Sequence, residues 1–219
     1  MSKVFLASRN VKKLEEMQRI LAEHAPDIEV LGLDDVDAYD EPVEDQPTFE
    51  GNALLKARAG VAATGLPSLA DDSGLCVDAL NGMPGVLSAR WSGPPLPDQK
   101  DLTDELNNEL LLAQLTDVPE ERRGAHFECA VAFCYPVGAG GLSEHVVHGK
   151  MPGRVIREMR GDGGFGYDVL FVAEEHSGVD HGAGLTSAQL SAEEKDKISH
   201  RGRALREIAP LVGDVLTGL

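Results

Sequence analysis

Short apolar runs typical of buried strands alternate along this chain with segments of helical periodicity. Residues 4–7 form the first run, and apolar residues then recur at helical spacing to about residue 24. Residues 66–70 and 127–135 repeat the strand pattern, and residues 49–63 repeat the helical one. This succession in a chain of 219 residues predicts one α/β domain spanning residues 1–219.

Weaker patterns predict the remaining elements of the fold. The helical segment at residues 98–115 has Leu102, Leu106 and Leu110 on one stripe, and residues 34–45 read as an acidic loop. Also expected are a turn at Asn81 and Gly82, a hairpin at residues 138–141, strands at 155–156 and 169–172, and a capping box of Ser191 and Glu194.

The charge balance restricts the class of ligand. The chain has 37 acidic and 20 basic side chains, for a net charge of −17. Such a surface repels polyanions and anionic lipid, so binding to nucleic acid or a membrane is not expected. An anionic small molecule would need a local basic pocket, a metal ion or backbone amides.

The three cysteines predict no metal or disulfide framework. The chain has an odd number of cysteines, Cys76, Cys129 and Cys134, and all three lie in apolar stretches of sequence. Their spacing matches no common zinc motif, so we expect reduced thiols in the core. The first apolar run is too short for a signal peptide, and no segment approaches a membrane span, which predicts a cytoplasmic location.

The polar turn after the first predicted strand could seat a phosphate group. Ser8, Arg9, Asn10, Val11, Lys12 and Lys13 precede or open a helix, whose free backbone N–H groups and positive dipole end attract anions. A surface helix capped by Asn10, with solvated lysines, explains the same residues.

Adjacent carboxylates follow the strand at residues 66–70. Asp71 and Asp72 would lie at the end of this strand, where they could bind magnesium together with substrate phosphate, and one could accept a proton from water. Glu44 in the acidic loop could complete such a site. A turn built by Ser73 and Gly74 accounts for the pattern equally well.

A glycine-rich segment at residues 161–168 precedes the late predicted strand. It contains a Gly-x-Gly-x-x-Gly string, but a dinucleotide fingerprint follows a strand and opens a helix early in a βαβ unit. The glycines would instead let the backbone approach a planar base, with Phe165 or Tyr167 as the stacking face. A structural turn with core aromatics is the alternative.

Basic residues recur near the C-terminal helical region. Lys195, Lys197, His200 and Arg201 could contact phosphate or a base edge. Interleaved acidic residues make an exposed, salt-bridged face the competing interpretation.

Six motifs in register give the whole chain a resemblance to the inosine triphosphate pyrophosphatases, also called dITP/XTP pyrophosphatases or Ham1-like proteins. The motifs lie at residues 6–13, 48–57, 70–74, 82–90, 163–168 and 199–202. The chain departs from the family pattern at Arg9 and Lys12, at Gly51 in place of a glutamate, and at Val169 in place of a proline.

The resemblance implies a fold, a site and a reaction. It implies an α/β fold with an elongated mixed β-sheet flanked by helices, two lobes with a nucleotide cleft between them, and a homodimer. Asp72 would be the general base and a magnesium ligand, with Glu44 as the other metal carboxylate and Asp71 as a supporting one. The implied substrate contacts are Ser8, Arg9, Asn10, Val11, Lys12, Lys13, Asn52, Lys56, Ser73, Phe165, Gly166, Tyr167, Asp168, Lys195, His200 and Arg201.

The implied reaction is Mg²⁺-dependent hydrolysis of deaminated purine nucleoside triphosphates to the monophosphate and pyrophosphate. The competing hypotheses are a Maf-type nucleotide pyrophosphatase with another base preference, a non-catalytic nucleotide sensor, and an acidic scaffold.

Overall fold

The computed structural model describes residues 2–8, 11–24, 26, 28–94, 99–178 and 184–218, with side chains for all of these except residues 11–13, 16, 24 and 139. Within these residues, six strands form one sheet in the order β2-β1-β3-β4-β5-β6. They are β1 (Ser2–Leu6), β2 (Ile28–Leu31), β3 (Ser68–Val77), β4 (Gly124–Val137), β5 (Gly141–Val155) and β6 (Phe171–Ala173). The helices are α1 (Val11–His24), α2 (Phe49–Thr64), α3 (Lys100–Gln114), α4 (Ala192–Ile198) and α5 (His200–Gly218).

The sheet is mixed, as predicted. Strand β1 runs parallel to both β2 and β3, whereas β6 runs antiparallel to β5. A three-residue 3₁₀ turn, Gly138–Gly140, joins β4 to β5 and confirms the predicted hairpin. The turn at Asn81 and Gly82 is also confirmed, since both residues have positive φ.

The chain divides into two compact units. The first unit comprises Met1–Asp72, Cys129–Gly149 and His200–Leu219, and the second comprises Ser73–Glu128 and Lys150–Ser199. Each has its own apolar core. In the first, residues of β1, β3 and β4 pack with α1 and α5; in the second, residues of β3, β4, β5 and β6 pack with α3.

Local signals at both ends explain helix α2. Thr48 caps its first turn by accepting a hydrogen bond from the Gly51 N–H, and Gly65 ends it in the left-handed conformation with φ of 69°. The predicted capping box at α4 is also present, because Ser191 and Glu194 bond each other's backbone N–H groups.

The predicted end of β3 was wrong. The strand does not stop before the aspartates but continues to Val77, and most of its residues are buried. At Gly74, a Cβ atom would lie 2.4 Å from the Gly85 carbonyl oxygen, so glycine here permits a close backbone approach rather than a turn.

One other predicted boundary needs correction. The strand expected at residues 169–172 begins later, because Val169 ends a 3₁₀ helix, Gly166–Val169, and β6 comprises Phe171–Ala173. Helix α3 is present, as predicted. Its stripe of Leu102, Leu106 and Leu110 is exposed, while its buried face includes Asn107 and Asn108, whose amides form hydrogen bonds.

The three cysteines are free and buried, as predicted. Burial raises the pKa of the Cys76 and Cys134 thiols to about 11. Within the part of the chain that the structure describes, no helix has both the length and the apolar character needed to cross a membrane. The cytoplasmic location stays a prediction.

Two helical glycines should respond to alanine in opposite directions. A Cβ at Gly60 of α2 would lie 2.8 Å from the Ser68 hydroxyl and 2.9 Å from the Phe5 ring, so Gly60→Ala should lower the free energy of unfolding by about 1–3 kcal/mol. A Cβ at Gly213 of α5 meets nothing within 4 Å, so Gly213→Ala should raise it by up to about 1 kcal/mol. Urea denaturation measures both, and equal shifts would contradict this packing.

Candidate functional site

The paired aspartates lie side by side in the middle of β3, so their side chains leave opposite faces of the strand. Asp71 faces Arg201 of α5, and Asp72 faces Asn52 and Lys56 of α2. The two carboxylates therefore have different partners and different chemical surroundings.

Asp71 forms a buried ion pair. Its Oδ2 accepts a hydrogen bond from the Arg201 Nε over 3.1 Å, and both side chains are only 1% exposed. The Cys129 thiol lies 3.8 Å from the same oxygen. This arrangement fits a supporting role for Asp71, while its role as a metal ligand and the substrate contact of Arg201 stay predictions.

Asp72 lies in a row with a lysine and a second carboxylate. The Lys56 ammonium is 2.7 Å from the Glu44 Oε1 and 4.0 Å from the Asp72 Oδ1. Burial acts to lower the pKa of Lys56, but the carboxylates of Asp71, Glu44 and Asp72 outweigh it and raise that pKa. Lys56 is therefore a cation, on which Glu44 and Asp72 converge.

Asn52 connects this row to the acidic loop. Its Nδ2 donates to the Asp72 Oδ2 over 2.9 Å, and its Oδ1 accepts from the Gln46 N–H over 3.0 Å. The side chain is fully buried, so in this structure it orients Asp72. Gly51 permits the arrangement, since a Cβ there would lie 2.7 Å from the Gln46 Cβ.

The N-terminal turn begins beside the aspartates. Leu6 of β1 pairs with Leu69 of β3, and the Ala7 N–H donates to the Leu69 carbonyl over 3.0 Å. Because the strands are parallel, Ser8 follows β1 at the level where Asp71 follows Leu69.

The other residues of this turn are described only in part. Helix α1 begins at Val11, so Lys12 and Lys13 belong to its first turn, where backbone N–H groups attract anions. Arg9 and Asn10 lie outside the described residues, as do the side chains at positions 11–13.

In the second unit, the glycine-rich segment presents one aromatic ring. The Phe165 ring has the Lys195 ammonium 4.8 Å and the Lys100 ammonium 5.2 Å from its centroid. Tyr167 is buried in the core, with its hydroxyl donating to the Ser88 carbonyl over 2.9 Å. Of the two rings proposed from the sequence, Phe165 is therefore the one that can serve as a stacking face, and the substrate contact of Tyr167 stays a prediction.

Partly buried hydrogen bonds hold this segment in place. The Asp168 Oδ2 accepts from the Phe165 N–H and from the Lys195 ammonium, over 2.8 and 2.7 Å. The Gly166 N–H donates to Asp104, and its carbonyl accepts from Asn108. Asp168 thus has a positioning role in the structure.

The contribution of α3 to this segment was missed from the sequence. Lys100, Asp104 and Asn108 recur every four residues, so they share one helix face. The four-residue spacing of these polar residues was the available sequence signal for this face. The leucine stripe on the same helix is more conspicuous and obscured it.

The predicted C-terminal basic cluster is divided between the two units. In the second unit, Lys197 forms an exposed pair with Glu193, which confirms the salt-bridge interpretation for this lysine alone. In the first unit, His200 and Arg201 begin α5 and are buried. Ser73 is half-buried on β3, in the second unit.

Comparison with known proteins gives one consistent family. The sequence profile of the Ham1 family matches residues 4–211. The chain is 55% identical over 211 residues to the dITP/XTP pyrophosphatase of Nocardia farcinica, covering 96% of this chain and 94% of that protein. It is 52% identical over 219 residues to the dITP/XTP pyrophosphatase of Frankia alni, covering 98% and 99%.

Solved structures agree with the sequence comparisons. The nucleoside-triphosphatase (dITP/XTP pyrophosphatase) from Mycobacterium abscessus superposes with a TM-score of 0.71 at 50% identity, covering 95% of this chain and 99% of that one. A HAM1 protein from Coxiella burnetii gives 0.80 at 35% identity, covering 98% and 100%. The similarity therefore extends over nearly the whole of both chains.

The Asp71–Arg201 pair should contribute strongly to stability. Arg201→Met leaves a buried carboxylate without its cation, so the free energy of unfolding should fall by about 3–5 kcal/mol. Lys197→Met, which breaks an exposed pair, should change it by less than about 0.5 kcal/mol. Urea denaturation with circular dichroism measures both.

A double variant separates charge from packing. If the unpaired carboxylate causes the loss, Asp71→Leu combined with Arg201→Met should recover part of the stability. A double variant less stable than Arg201→Met alone would contradict this explanation.

Proposed function

Since this chain belongs to the Ham1 family, we propose that it hydrolyses deaminated purine nucleoside triphosphates, such as dITP, ITP and XTP, to the monophosphate and pyrophosphate. Relatives at 50–55% identity over nearly their full length carry the name dITP/XTP pyrophosphatase. We propose that residues 1–219 act as a single enzymatic domain, and that two chains form a homodimer, as the family resemblance implies.

The row of Glu44, Lys56 and Asp72 is the observation that supports this reaction best. Two carboxylates converge on one cation, and the row lies in the same unit as the turn that follows β1. Carboxylate oxygens are the donors that hard divalent cations prefer, and helix N-terminal amides bind phosphate. This combination suits phosphate chemistry better than it suits an acidic scaffold.

The donor set of this row fits a magnesium ion. Glu44 and Asp72 would hold Mg²⁺ together with substrate phosphate, with Asp71 as a support. When bound, the ion would neutralise phosphate charge and make the attacking water more acidic. Ser8, Asn10 and Lys13 would bind the phosphates and sugar, and Lys56 would offset the negative charge of the leaving pyrophosphate.

Asp72 is the proposed general base. Its Oδ2 is held by Asn52, and its Oδ1 faces the Lys56 ammonium at 4.0 Å. The carboxylate would orient a water molecule and accept its proton as the water attacks the α-phosphorus. The bond from the α-phosphorus to the bridging oxygen then breaks, and pyrophosphate leaves.

In the second unit we propose that Phe165 binds the purine base. Two ammonium groups lie 4.8 and 5.2 Å from its ring centroid, and Gly164 and Gly166 have positive φ. Donors matched to a 6-oxo group would disfavour adenine, because an amino group there leaves them unpaired at roughly 1–3 kcal/mol per group.

A substrate panel tests the reaction. Purified protein with Mg²⁺ should convert ITP, dITP and XTP to monophosphate and pyrophosphate, with much slower turnover of ATP and GTP. Faster turnover of a pyrimidine or methylated nucleotide than of ITP, dITP and XTP would indicate a Maf-type activity. Tight ITP binding without turnover would indicate a nucleotide sensor, and orthophosphate release would exclude the proposed bond cleavage.

Asp72→Asn should remove the carboxylate that acts as the proposed general base while preserving the shape of the side chain. We expect kcat for ITP to fall by at least about 100-fold, with near-wild-type stability. Asp214→Asn, an exposed aspartate of α5, is the matched control and should retain full activity. An active Asp72→Asn enzyme would rule out the assigned role.

Asn52→Ala should lower kcat without removing any group assigned to the chemistry. Loss of an orienting partner reduces activity about 10- to 100-fold in comparable sites, and KM should change less than kcat. Asn81→Gly, at a turn with positive φ, is the control for loss of an asparagine. Unchanged kcat in Asn52→Ala would show that the Gln46 and Asp72 contacts do not position the base.

A further inference from the structure

A second group of potential metal ligands lies in the second unit. Cys76 of β3 and His126 and Glu128 of β4 each offer one ligand atom, and these atoms all lie within 4.8 Å of one another. None of the three belongs to the proposed nucleotide chemistry. The strands β3 and β4 are neighbours in the sheet.

Strand geometry explains why these side chains meet. His126 and Glu128 are two residues apart on β4, so they share one face of the strand, and Cys76 reaches that face from the adjacent strand. Ala125 and Phe127 point the other way and are part of the core of the second unit. The group is reachable from solvent, since the His126 and Glu128 side chains are 29% and 19% exposed.

The spacing of two of the three ligand atoms suits tetrahedral coordination. The His126 Nε2 lies 3.4 Å from the Glu128 Oε2. Bonds of about 2.0–2.2 Å at tetrahedral angles place two such ligand atoms about 3.4 Å apart. Only modest movement of Cys76 is then needed to complete a three-ligand set.

We propose that Cys76, His126 and Glu128 form a binding site for Zn²⁺. Thiolate and imidazole ligands favour zinc over magnesium, and three protein ligands leave a fourth position for water. Binding would release the Cys76 thiol proton to solvent and displace the Lys150 ammonium, which is 3.0 Å from the Glu128 Oε2. Lys150 can move because its side chain is 58% exposed. The proposal does not depend on the proposed nucleotide hydrolysis.

Cobalt absorption tests the site directly. Co²⁺ titrated into the full chain, freed of metal by a chelator, should give a thiolate-to-cobalt charge-transfer band that saturates at one ion per chain. Zn²⁺ should remove the band, and excess Mg²⁺ should not. Absence of the band, or its loss on adding Mg²⁺, would overturn the proposal.

Variants assign the ligands. Cys76→Ser should remove the band, whereas Cys134→Ser, which changes another buried cysteine, should retain it. His126→Ala should weaken Co²⁺ binding at least about 10-fold. Loss of a residue that only hydrogen-bonds to a metal ligand already lowers metal affinity by about that factor, and His126 is a proposed ligand itself. The opposite result for either cysteine, or unchanged affinity in His126→Ala, would overturn the assignment.

A fourth variant keeps the test decisive if Cys76→Ser fails to fold. Lys150→Met removes the cation that competes for Glu128, so it should bind Co²⁺ more tightly than the wild-type chain. Weaker or unchanged binding in this variant would show that Glu128 is not a ligand.

Discussion

The buried pair of Asp71 and Arg201 is the interaction on which the first unit depends. A carboxylate in the middle of a buried strand is tolerated only when a cation and hydrogen-bond donors compensate for lost hydration. Arg201 supplies that charge from α5, and the Cys129 thiol lies against the same oxygen. The pair thereby links β3 to the start of α5, so that the side chain of the next residue, Asp72, projects from the opposite face of a strand that is fixed in place.

The opposite face carries an unbalanced set of charges. Of the described side chains on this face, the carboxylates of Asp72 and Glu44 lie beside one cation, Lys56. The remaining negative charge would attract a divalent cation, and binding of that cation would reverse the sign of the local charge. With the proposed ion bound, such a region would attract the phosphate chain that it repels when empty, which would give a chain of net charge −17 a metal-dependent way to bind an anion.

The sequence was sufficient where local rules decide structure. Thr48 begins α2 and Gly65 ends it, and a capping box of Ser191 and Glu194 begins α4. Asn81 and Gly82 form a turn. Each of these features depends only on residues nearby in the sequence. The sequence did not predict the structure where contacts between residues distant in the chain determine it. Polar Asp71 and Asp72 resembled the end of a strand, since Arg201 and Asn52, which permit their burial, are 130 and 20 residues away. Likewise, Tyr167 resembled a stacking ring because its partner, the Ser88 carbonyl, is 79 residues away.

Ligand chemistry would give the two proposed metal sites different metal preferences. The proposed magnesium site contains oxygen donors alone, with an ammonium close to both carboxylates, so small hard cations that retain water and bridge to phosphate are favoured. Around Cys76 the donors are a thiol, an imidazole and one carboxylate, a set that favours zinc over magnesium because softer ligands bind it more strongly. A lysine also accompanies Glu128, but it is far more exposed than Lys56, so its ammonium can leave the carboxylate and be hydrated. The exposure of the competing lysine, as well as the donor atoms, therefore determines how readily each carboxylate accepts a metal ion.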